Sequence, residues 1–198
     1  HNVSFDRIAS HMGDVDAFYV DRYDADGDFW CTPEGSSKIW IDMYEYLSRL
    51  VGLEGDSYGI AHDLYANYCT PEFWAPYDDV IETLDALAKR RYAMAVISNW
   101  GSELSGILKG MGLAKYFSQF SISADVGMRK PDPNIFSSTA KKMGLDTRRI
   151  VHVGDLPDAD GDGARAVGMH PVIIDRNDAW PNAEYPRVTT LTDVPALI

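Results

Sequence analysis

A chain of 198 residues is long enough for one domain with a sizeable core, or for such a domain with a modest insertion. Its formal net charge of −12 disfavours a polyanionic partner, and its 18 lysines and arginines form no basic stripe, so we expect no nucleic-acid binding. Cys31 and Cys69 lack the spacing of a metal site or a disulfide framework, and no apolar run approaches the length of about 18 residues that a membrane span needs. These features predict a cytoplasmic protein that does not act on membranes.

The first third of the chain has the patterns of helices. Ser4 is a candidate N-cap for a helix that extends to about residue 24, whereas the Asp, Gly, Pro and Ser content of residues 21–37 predicts a loop. A second helix, closed by Gly52, is predicted from apolar residues that recur every three or four positions: Ile39, Met43, Tyr46, Leu47 and Leu50. A third helix is predicted over residues 58–68.

From Pro76 onward, predicted helices alternate with short apolar strands. The strands fall at residues 93–97, 120–123, 150–153 and 172–174, and the helices at residues 80–88, 104–111, 133–143 and 160–167. A final short strand and a helical turn are expected after residue 180. This alternation is typical of an α/β fold whose parallel sheet is flanked by helices. We therefore predict an all-helical region at residues 4–75 and an α/β core at residues 76–198.

Polar side chains follow the first predicted strand and also occupy a proline-bracketed loop. Ser98 and Asn99 come where the strand stops, and their side chains can donate to phosphate oxygens, although such a pair also starts many turns. Lys130 precedes Pro131, which keeps it extended and out of the following helix. Its ammonium group can then reach into a cleft as a point charge, or it can simply be solvated.

Two carboxylates surround the end of the third predicted strand. Asp155 follows Gly154 directly, and Asp160 comes five residues later, before an alanine-rich helix. Ligands of open α/β sheets bind outside the carboxyl ends of the strands, and Mg²⁺ prefers a few carboxylates together with water and phosphate. The pair therefore indicates a Mg²⁺ site, with a helix N-cap as the alternative role for Asp160. His152 lies within the same strand, where we expect a core residue rather than a metal ligand.

Taken in chain order, these residues form a pattern: the Ser98 hydroxyl, then Lys130-Pro131, then Gly154-Asp155 with an acid five residues later, each at the boundary of a helix or strand. This pattern resembles the second, third and fourth motifs of the haloacid dehalogenase (HAD) superfamily. The resemblance is close over residues 76–175. It implies a Rossmannoid core with a parallel sheet, and the helical region before it resembles the cap that one branch of the family inserts after its first motif.

The resemblance also implies roles for the polar residues. Ser98 and Lys130 would be catalytic: Ser98 would bind the transferring phosphoryl group, with Asn99 beside it, and Lys130 would neutralise charge on the nucleophile and the phosphoryl oxygens. Asp155 would hold Mg²⁺, and Asp160 would support the metal site or pair with Lys130. This division suits phosphoryl transfer, which depends mainly on positioning and charge stabilisation.

The first motif of the family, an apolar strand followed by Asp-x-Asp, has no convincing match. Asp24 and Asp26 have the acid spacing, but charged residues precede them, and we expect them in an acidic loop of the cap. Asp14 and Asp16 also have the acid spacing but follow no strand, whereas Asp6 lacks the second acid. The nucleophile strand is therefore expected upstream of His1, unless Asp6 or the Asp24–Asp26 segment replaces it.

The leading hypothesis is a HAD-type, Mg²⁺-dependent phosphatase that acts on a small phosphomonoester through an aspartyl-phosphate intermediate. The alternatives are a catalytically dead HAD-like scaffold and a 2-haloacid dehalogenase, which needs no metal and usually lacks the Gly154-Asp155 pair. The identity of the substrate and the oligomeric state do not follow from the sequence.

Overall fold

The computed structural model describes residues 3–198, and the first part of the described chain is helical. Ser4 caps the first helix, as predicted, because its side chain accepts a hydrogen bond from the Arg7 N–H. Four helices and three short 3₁₀ segments follow one another: α1 (Phe5–Ala9), α2 (Met12–Asp26), a 3₁₀ turn at Gly27–Cys31, α3 (Pro33–Leu50), 3₁₀ turns at Glu54–Asp56 and Pro71–Phe73, and α4 (Ser57–Tyr68) between them. The helices predicted from Ile39 onward are therefore confirmed.

The loop predicted over residues 21–37 is wrong. Helix α2 continues to Asp26, and α3 begins at Pro33, so only a short 3₁₀ turn and Thr32 separate them. The Thr32 side chain accepts from the Gly35 N–H at 3.0 Å, and Pro33 occupies the first turn of the helix. The same Thr, Pro and Gly residues that favour a loop by composition thus form a helix start, which Thr and Pro also favour.

The second part of the chain alternates helices and strands. Its elements are α5 (Asp79–Lys89), β1 (Ala95–Ser98), α6 (Leu104–Gly110), β2 (Gln119–Ile122), α7 (Ser123–Val126), α8 (Pro133–Met143), β3 (Val151–Gly154), α9 (Gly163–Ala166), β4 (His170–Ile174) and β5 (Arg187–Val188). Each predicted strand is present within a few residues of its expected bounds. The helix predicted at residues 160–167 begins earlier, as a π-helical turn over Pro157–Asp162 that leads into α9.

The parallel strands form two sheets instead of one. β1 pairs with β2, and β3 pairs with β4, which in turn pairs with β5. Within the described part of the chain, β1 and β3 do not pair with each other. Every residue of β1 is only partly buried, and so are all residues of β3 except His152. Central strands of a sheet with helices on both faces are normally buried, so each sheet presents an open edge.

A shared core holds the two sheets side by side. Ile135 and Phe136 of α8 are fully buried, and Ile97 of β1 and Ile150, the residue before β3, both pack against their cluster. A smaller cluster around Val172 lies between β4 and the C-terminal segment. The position of α8 therefore fixes β1 relative to β3 although no backbone hydrogen bond joins them. Among residues 3–198, no helix has the length and apolarity that crossing a lipid bilayer requires.

Candidate active site

A buried ion pair joins the predicted Lys-Pro loop to the turn after β3. The Nζ atom of Lys130 lies 2.6 Å from Oδ1 of Asp160, and the two side chains are 13% and 1% exposed. Nε2 of His152 lies 2.8 Å from the same oxygen. Lys130, from a loop 30 residues before Asp160, and His152, from β3, therefore both bind one oxygen of the Asp160 carboxylate.

The backbone of the π-helical turn determines the position of Asp160. The Leu156 N–H donates to Oδ2 of Asp160 at 3.1 Å. The carboxylate also packs directly on Gly154, where an added Cβ would overlap the Asp160 side chain. Gly154 is thus required because the carboxylate approaches the end of β3 more closely than any side chain at residue 154 allows.

Asn99 holds the main chain of Lys130. Its Oδ1 accepts from the Lys130 N–H at 2.7 Å, and its Nδ2 donates to the Lys130 carbonyl at 2.9 Å. The next residue, Trp100, donates its N–H to the hydroxyl of the fully buried Ser123 at 3.0 Å. These contacts fasten the end of β1 to the Lys130 loop. One of the two Asn99 amide donors remains for another acceptor, so direct phosphate binding by Asn99 stays a prediction.

Electrostatics keep Asp160 ionised. Burial alone raises the pKa of Asp160, but the hydrogen bond from His152 and the positive charge of Lys130 outweigh it and hold the pKa well below its usual range. Because the carboxylate carries a full negative charge, the hydrogen bond from His152 requires a proton on Nε2. The cluster is therefore a cation, an anion and a histidine donor arranged around one oxygen.

Ser98 and Asp155 occupy the positions that their strand ends dictate. Ser98 is the last residue of β1 and is partly buried, and Asp155 follows β3 and is exposed. Neither side chain hydrogen-bonds to Lys130, Asp160 or Asn99 in the described residues. They are nevertheless sequence neighbours of Asn99 and Gly154, which contact Lys130 and Asp160. The catalytic role predicted for Ser98 remains a prediction.

The residues present fit a magnesium ion in part. No group of three or more His, Cys, Asp or Glu side chains in residues 3–198 is arranged to hold a metal. Asp160 is nearly fully buried, and both its oxygens accept hydrogen bonds from protein donors, so its geometry favours the pairing with Lys130 over metal ligation. Asp155 is exposed and free of ion pairs within the described residues, and Mg²⁺ sites commonly use one or two carboxylates with water and phosphate.

None of the acids considered for the first motif follows a strand. Asp6 lies in α1, and the Asp14–Asp16 and Asp24–Asp26 segments lie within α2. The acidic loop expected for Asp24 and Asp26 is therefore the C-terminal end of a helix. The possibility that these segments replace the nucleophile strand is not supported by their helical backbone.

The helical region contacts the α/β part through aromatic and polar side chains. Trp100 stacks on Tyr68 of α4 with ring centroids 5.5 Å apart, and the Tyr65 hydroxyl donates to Glu103 at 2.8 Å. Arg129, next to Lys130, donates to the Tyr23 hydroxyl at 2.5 Å. Two of the three segments that carry predicted site residues, the one after β1 and the Lys130 loop, thus touch the helical region. That this region acts as a cap stays a prediction.

Sequence reasoning missed the part that His152 takes in this cluster. The residue is 9% exposed, as expected of a core position, but its ring also reaches Asp160. A polar residue in an otherwise apolar strand, two positions before Gly154, was the available signal.

Ligands of parallel α/β folds bind outside the carboxyl ends of the strands, and the buried Lys130–Asp160 pair lies beside the end of β3. The comparison with protein families identifies the class of protein: the haloacid dehalogenase-like hydrolase family matches residues 9–168. The chain belongs to this family.

Similar proteins include several phosphatases. The chain is 34% identical over 142 residues to haloacid dehalogenase-like hydrolase domain-containing protein 3 of Homo sapiens, a match that covers 70% of this chain and 56% of that protein. It is 31% identical over 163 residues to the glyceraldehyde 3-phosphate phosphatase of Methanopyrus kandleri, covering 76% of this chain and 70% of that protein. The crystal structure of a HAD phosphatase from Thermococcus onnurineus superimposes with a TM-score of 0.69 at 25% identity, over 97% of this chain and 85% of that one. The proteins of the same description from Danio rerio and Bos taurus are also similar, and the chain spans about half of their length.

Proposed function

We propose that this chain contains most of the active site of a Mg²⁺-dependent phosphatase that acts on a small phosphomonoester through an aspartyl-phosphate intermediate. The observation that carries the proposal is the placement of Lys130, whose main chain is bound to the end of β1 and whose side chain is bound to a carboxylate at the end of β3. Phosphatases among the similar proteins support this choice of reaction.

The open edges of β1 and β3 support a place for one more strand. The contacts from Asn99 through Lys130 to Asp160 keep the ends of β1 and β3 within reach of a single lysine side chain. A strand placed between the two sheets would pair with β1 on one side and β3 on the other, and its carboxyl end would face Lys130. We propose that an extended segment carrying the nucleophilic aspartate occupies this slot.

Each residue then has a defined task. The first aspartate of the added Asp-x-Asp segment attacks phosphorus as the bond to the ester oxygen breaks, and the second aspartate gives its proton to the departing alkoxide. The second aspartate then takes a proton from the water that hydrolyses the acyl phosphate, which releases inorganic phosphate and restores both carboxyl groups. The Ser98 hydroxyl donates to a phosphoryl oxygen, and the Lys130 ammonium offsets the negative charge of the two reacting groups. Asp160 orients that ammonium. Asp155 would hold Mg²⁺, which when bound stabilises charge on the phosphoryl oxygens.

The position of the helical region is an argument that the substrate is small. Trp100 and Arg129, which neighbour the predicted site residues, both contact its helices, so a bound ester would lie beneath them. The net charge of −12 also disfavours long polyanionic substrates.

The test is a phosphatase assay with p-nitrophenyl phosphate and Mg²⁺. We would compare the 198-residue chain with a fusion in which an apolar strand ending in Asp-x-Asp precedes residue 3, and with a matched fusion ending in Asn-x-Asp. We expect turnover only from the Asp-x-Asp fusion, and its loss on Lys130→Met. Turnover by the unfused chain would show that the nucleophile lies within it. Equal turnover by both fusions would refute the aspartyl-phosphate intermediate.

A catalytically dead scaffold is the second candidate. It is favoured by one observation, namely that within residues 3–198 no Asp-x-Asp segment directly follows the last residue of a strand. Binding of inorganic phosphate to the Asp-x-Asp fusion without any turnover of p-nitrophenyl phosphate would support this alternative.

A further inference from the structure

His152 is the one titratable side chain of the buried cluster to which the proposed reaction gives no task. It lies in the middle of β3, and its ring meets Phe136 of α8 edge to face, with centroids 5.0 Å apart and an interplanar angle of 85°. This contact fixes the plane of the imidazole. Nε2 then lies 2.8 Å from Oδ1 of Asp160.

The oxygen that His152 contacts is also the one that binds Lys130. Nζ of Lys130 lies 2.6 Å from Oδ1, while the other oxygen accepts from the Leu156 N–H. Without His152, the Asp160 carboxylate would still pack on Gly154, but its hydrogen bonds would come only from one backbone donor and from the flexible lysine itself. Even a small rotation of the carboxylate about its side-chain bonds would then displace the ammonium group bound to Oδ1.

We infer that His152 is a positioning residue, whose Nε2–H fixes Oδ1 of Asp160 so that Lys130 is directed towards the phosphoryl group. The inference rests on the proposed function for its catalytic consequence, but the geometry that it describes belongs to the folded chain in any case. The histidine also shares the negative charge of Oδ1 with Lys130, which leaves the ammonium available to a second anion.

The required feature is a hydrogen-bond donor at the position of Nε2, and this separates positioning from packing. In His152→Gln, the side-chain amide nitrogen can reach the same place, whereas His152→Leu keeps an apolar side chain against Phe136 but has no donor. His170 of β4 offers a matched control, because it is an exposed histidine whose Nε2 contacts only the Arg148 carbonyl. His170→Leu removes a histidine from the neighbouring strand without touching Asp160.

The kinetic test uses whichever protein turns over p-nitrophenyl phosphate, the Asp-x-Asp fusion or the unfused chain. In that protein, we expect His152→Leu to lower kcat by about 10- to 100-fold, since small displacements of catalytic groups have effects of that order. KM should change by less than about threefold, and His152→Gln should recover most of kcat. His170→Leu should behave as the unmodified protein. A loss of kcat shared equally by the Gln and Leu variants, or absent from both, would overturn the inference.

An NMR measurement separates this inference from the proposed function. On the 198-residue chain, we expect the ¹⁵N and ¹H signals of His152 to show a protonated Nε2 that exchanges slowly with water, and the Lys130 ammonium signal to move in His152→Leu but not in His170→Leu. If no form shows phosphatase activity but these signals behave as expected, the proposed function fails and the positioning contact stands. An Nε2 without a proton, or a Lys130 signal that does not change in His152→Leu, would refute the positioning contact whatever the activity.

Discussion

Lys130 and Asp160 form a buried ion pair at 2.6 Å that connects the loop after α7 to the turn after β3. Each member also has other partners: Asn99 binds the main chain of Lys130, and His152 and the Leu156 N–H bind the carboxylate of Asp160. The pair thereby links the carboxyl end of β1 in one sheet to the carboxyl end of β3 in the other.

Breaking this pair from one side should be costly. Asp160→Asn leaves a mostly buried ammonium without its counter-charge, and removal of one partner of a buried pair typically costs about 3–5 kcal/mol. Lys130→Met should destabilise less, because His152 and the Leu156 N–H still bind the carboxylate. Urea unfolding of both single variants and the double variant gives the coupling energy between Lys130 and Asp160, which we expect to exceed about 1 kcal/mol.

The exposed pair Lys38–Asp42 of α3 is the matched control for that cycle. Its lysine is 70% exposed at an N–O distance of 2.7 Å, and helix pairs of this kind couple by only about 0.3–0.5 kcal/mol. A coupling energy for Lys130–Asp160 as small as that of the control would contradict the structure.

Gly154→Ala should disturb the site through sterics alone. The new methyl group would overlap the Asp160 carboxylate, and overpacking of this kind costs about 1–3 kcal/mol. The same substitution at Gly106, within α6, meets no neighbouring atom and should stabilise by up to about 1 kcal/mol, since alanine is the better helix former. Thermal unfolding of the two variants checks both the predicted loss of stability and the predicted gain. An unchanged stability of Gly154→Ala would mean that Asp160 lies elsewhere.

The pH dependence of stability should report the lowered pKa of Asp160. In the unfolded chain, this carboxyl group takes up a proton near its ordinary pKa of about 3.9, whereas in the folded protein it stays ionised to lower pH. The unfolded state therefore binds more protons below about pH 4, and this contribution to stability is present above that pH and fades as the pH falls. Urea unfolding should show the stability gap between the unmodified chain and Asp160→Asn narrowing below about pH 4. A gap that stays constant down to about pH 2 would mean that the folded pKa is not lowered.

Asn99 should matter for stability because it binds the main chain of Lys130 twice. Asn99→Ala leaves a partly buried N–H and carbonyl of Lys130 without these partners, at a cost of about 1–3 kcal/mol. Asn99→Asp keeps an acceptor for the N–H but turns an anionic oxygen towards the carbonyl, so it should not restore full stability. Asn67→Ala, which removes one exposed contact within α4, should have a clearly smaller effect in the same urea titration.

The arrangement of helices and strands was largely predictable from the sequence because their signals are local. The Pro133–Met143 helix has its N-cap at Asp132 and its left-handed glycine at Gly144, and its predicted bounds are those of the structure. The region of residues 21–37 was predicted wrongly because the same residue types favour both loops and helix starts. Whether these residues form a loop or a helix start depends on how α3 packs against the rest of the protein, and amino-acid composition gives no information on that packing.

The candidate site was predictable only as far as strand ends determine it. Ser98 and Asp155 lie where apolar strands stop, and the family resemblance implied that Asp160 either pairs with Lys130 or supports the metal site. The structure shows the pairing with Lys130. The part of His152 and the double contact of Asn99 depend on tertiary distances, which no local pattern encodes. The division of the strands into two sheets is likewise a matter of pairing between segments far apart in the chain.

Asp155→Asn should separate catalysis from stability. Asp155 is exposed and forms no ion pair among residues 3–198, so its substitution should change the free energy of unfolding by less than about 0.5 kcal/mol. In the Asp-x-Asp fusion, the same change should lower turnover of p-nitrophenyl phosphate by at least about 100-fold, the order of magnitude that follows loss of a group stabilising charge in the transition state. Asp158→Asn is the matched control, because Asp158 is also an exposed acid, lies three residues further along the chain and should leave turnover unchanged. Undiminished turnover by Asp155→Asn, with both variants folded by circular dichroism, would exclude Asp155 from the reaction.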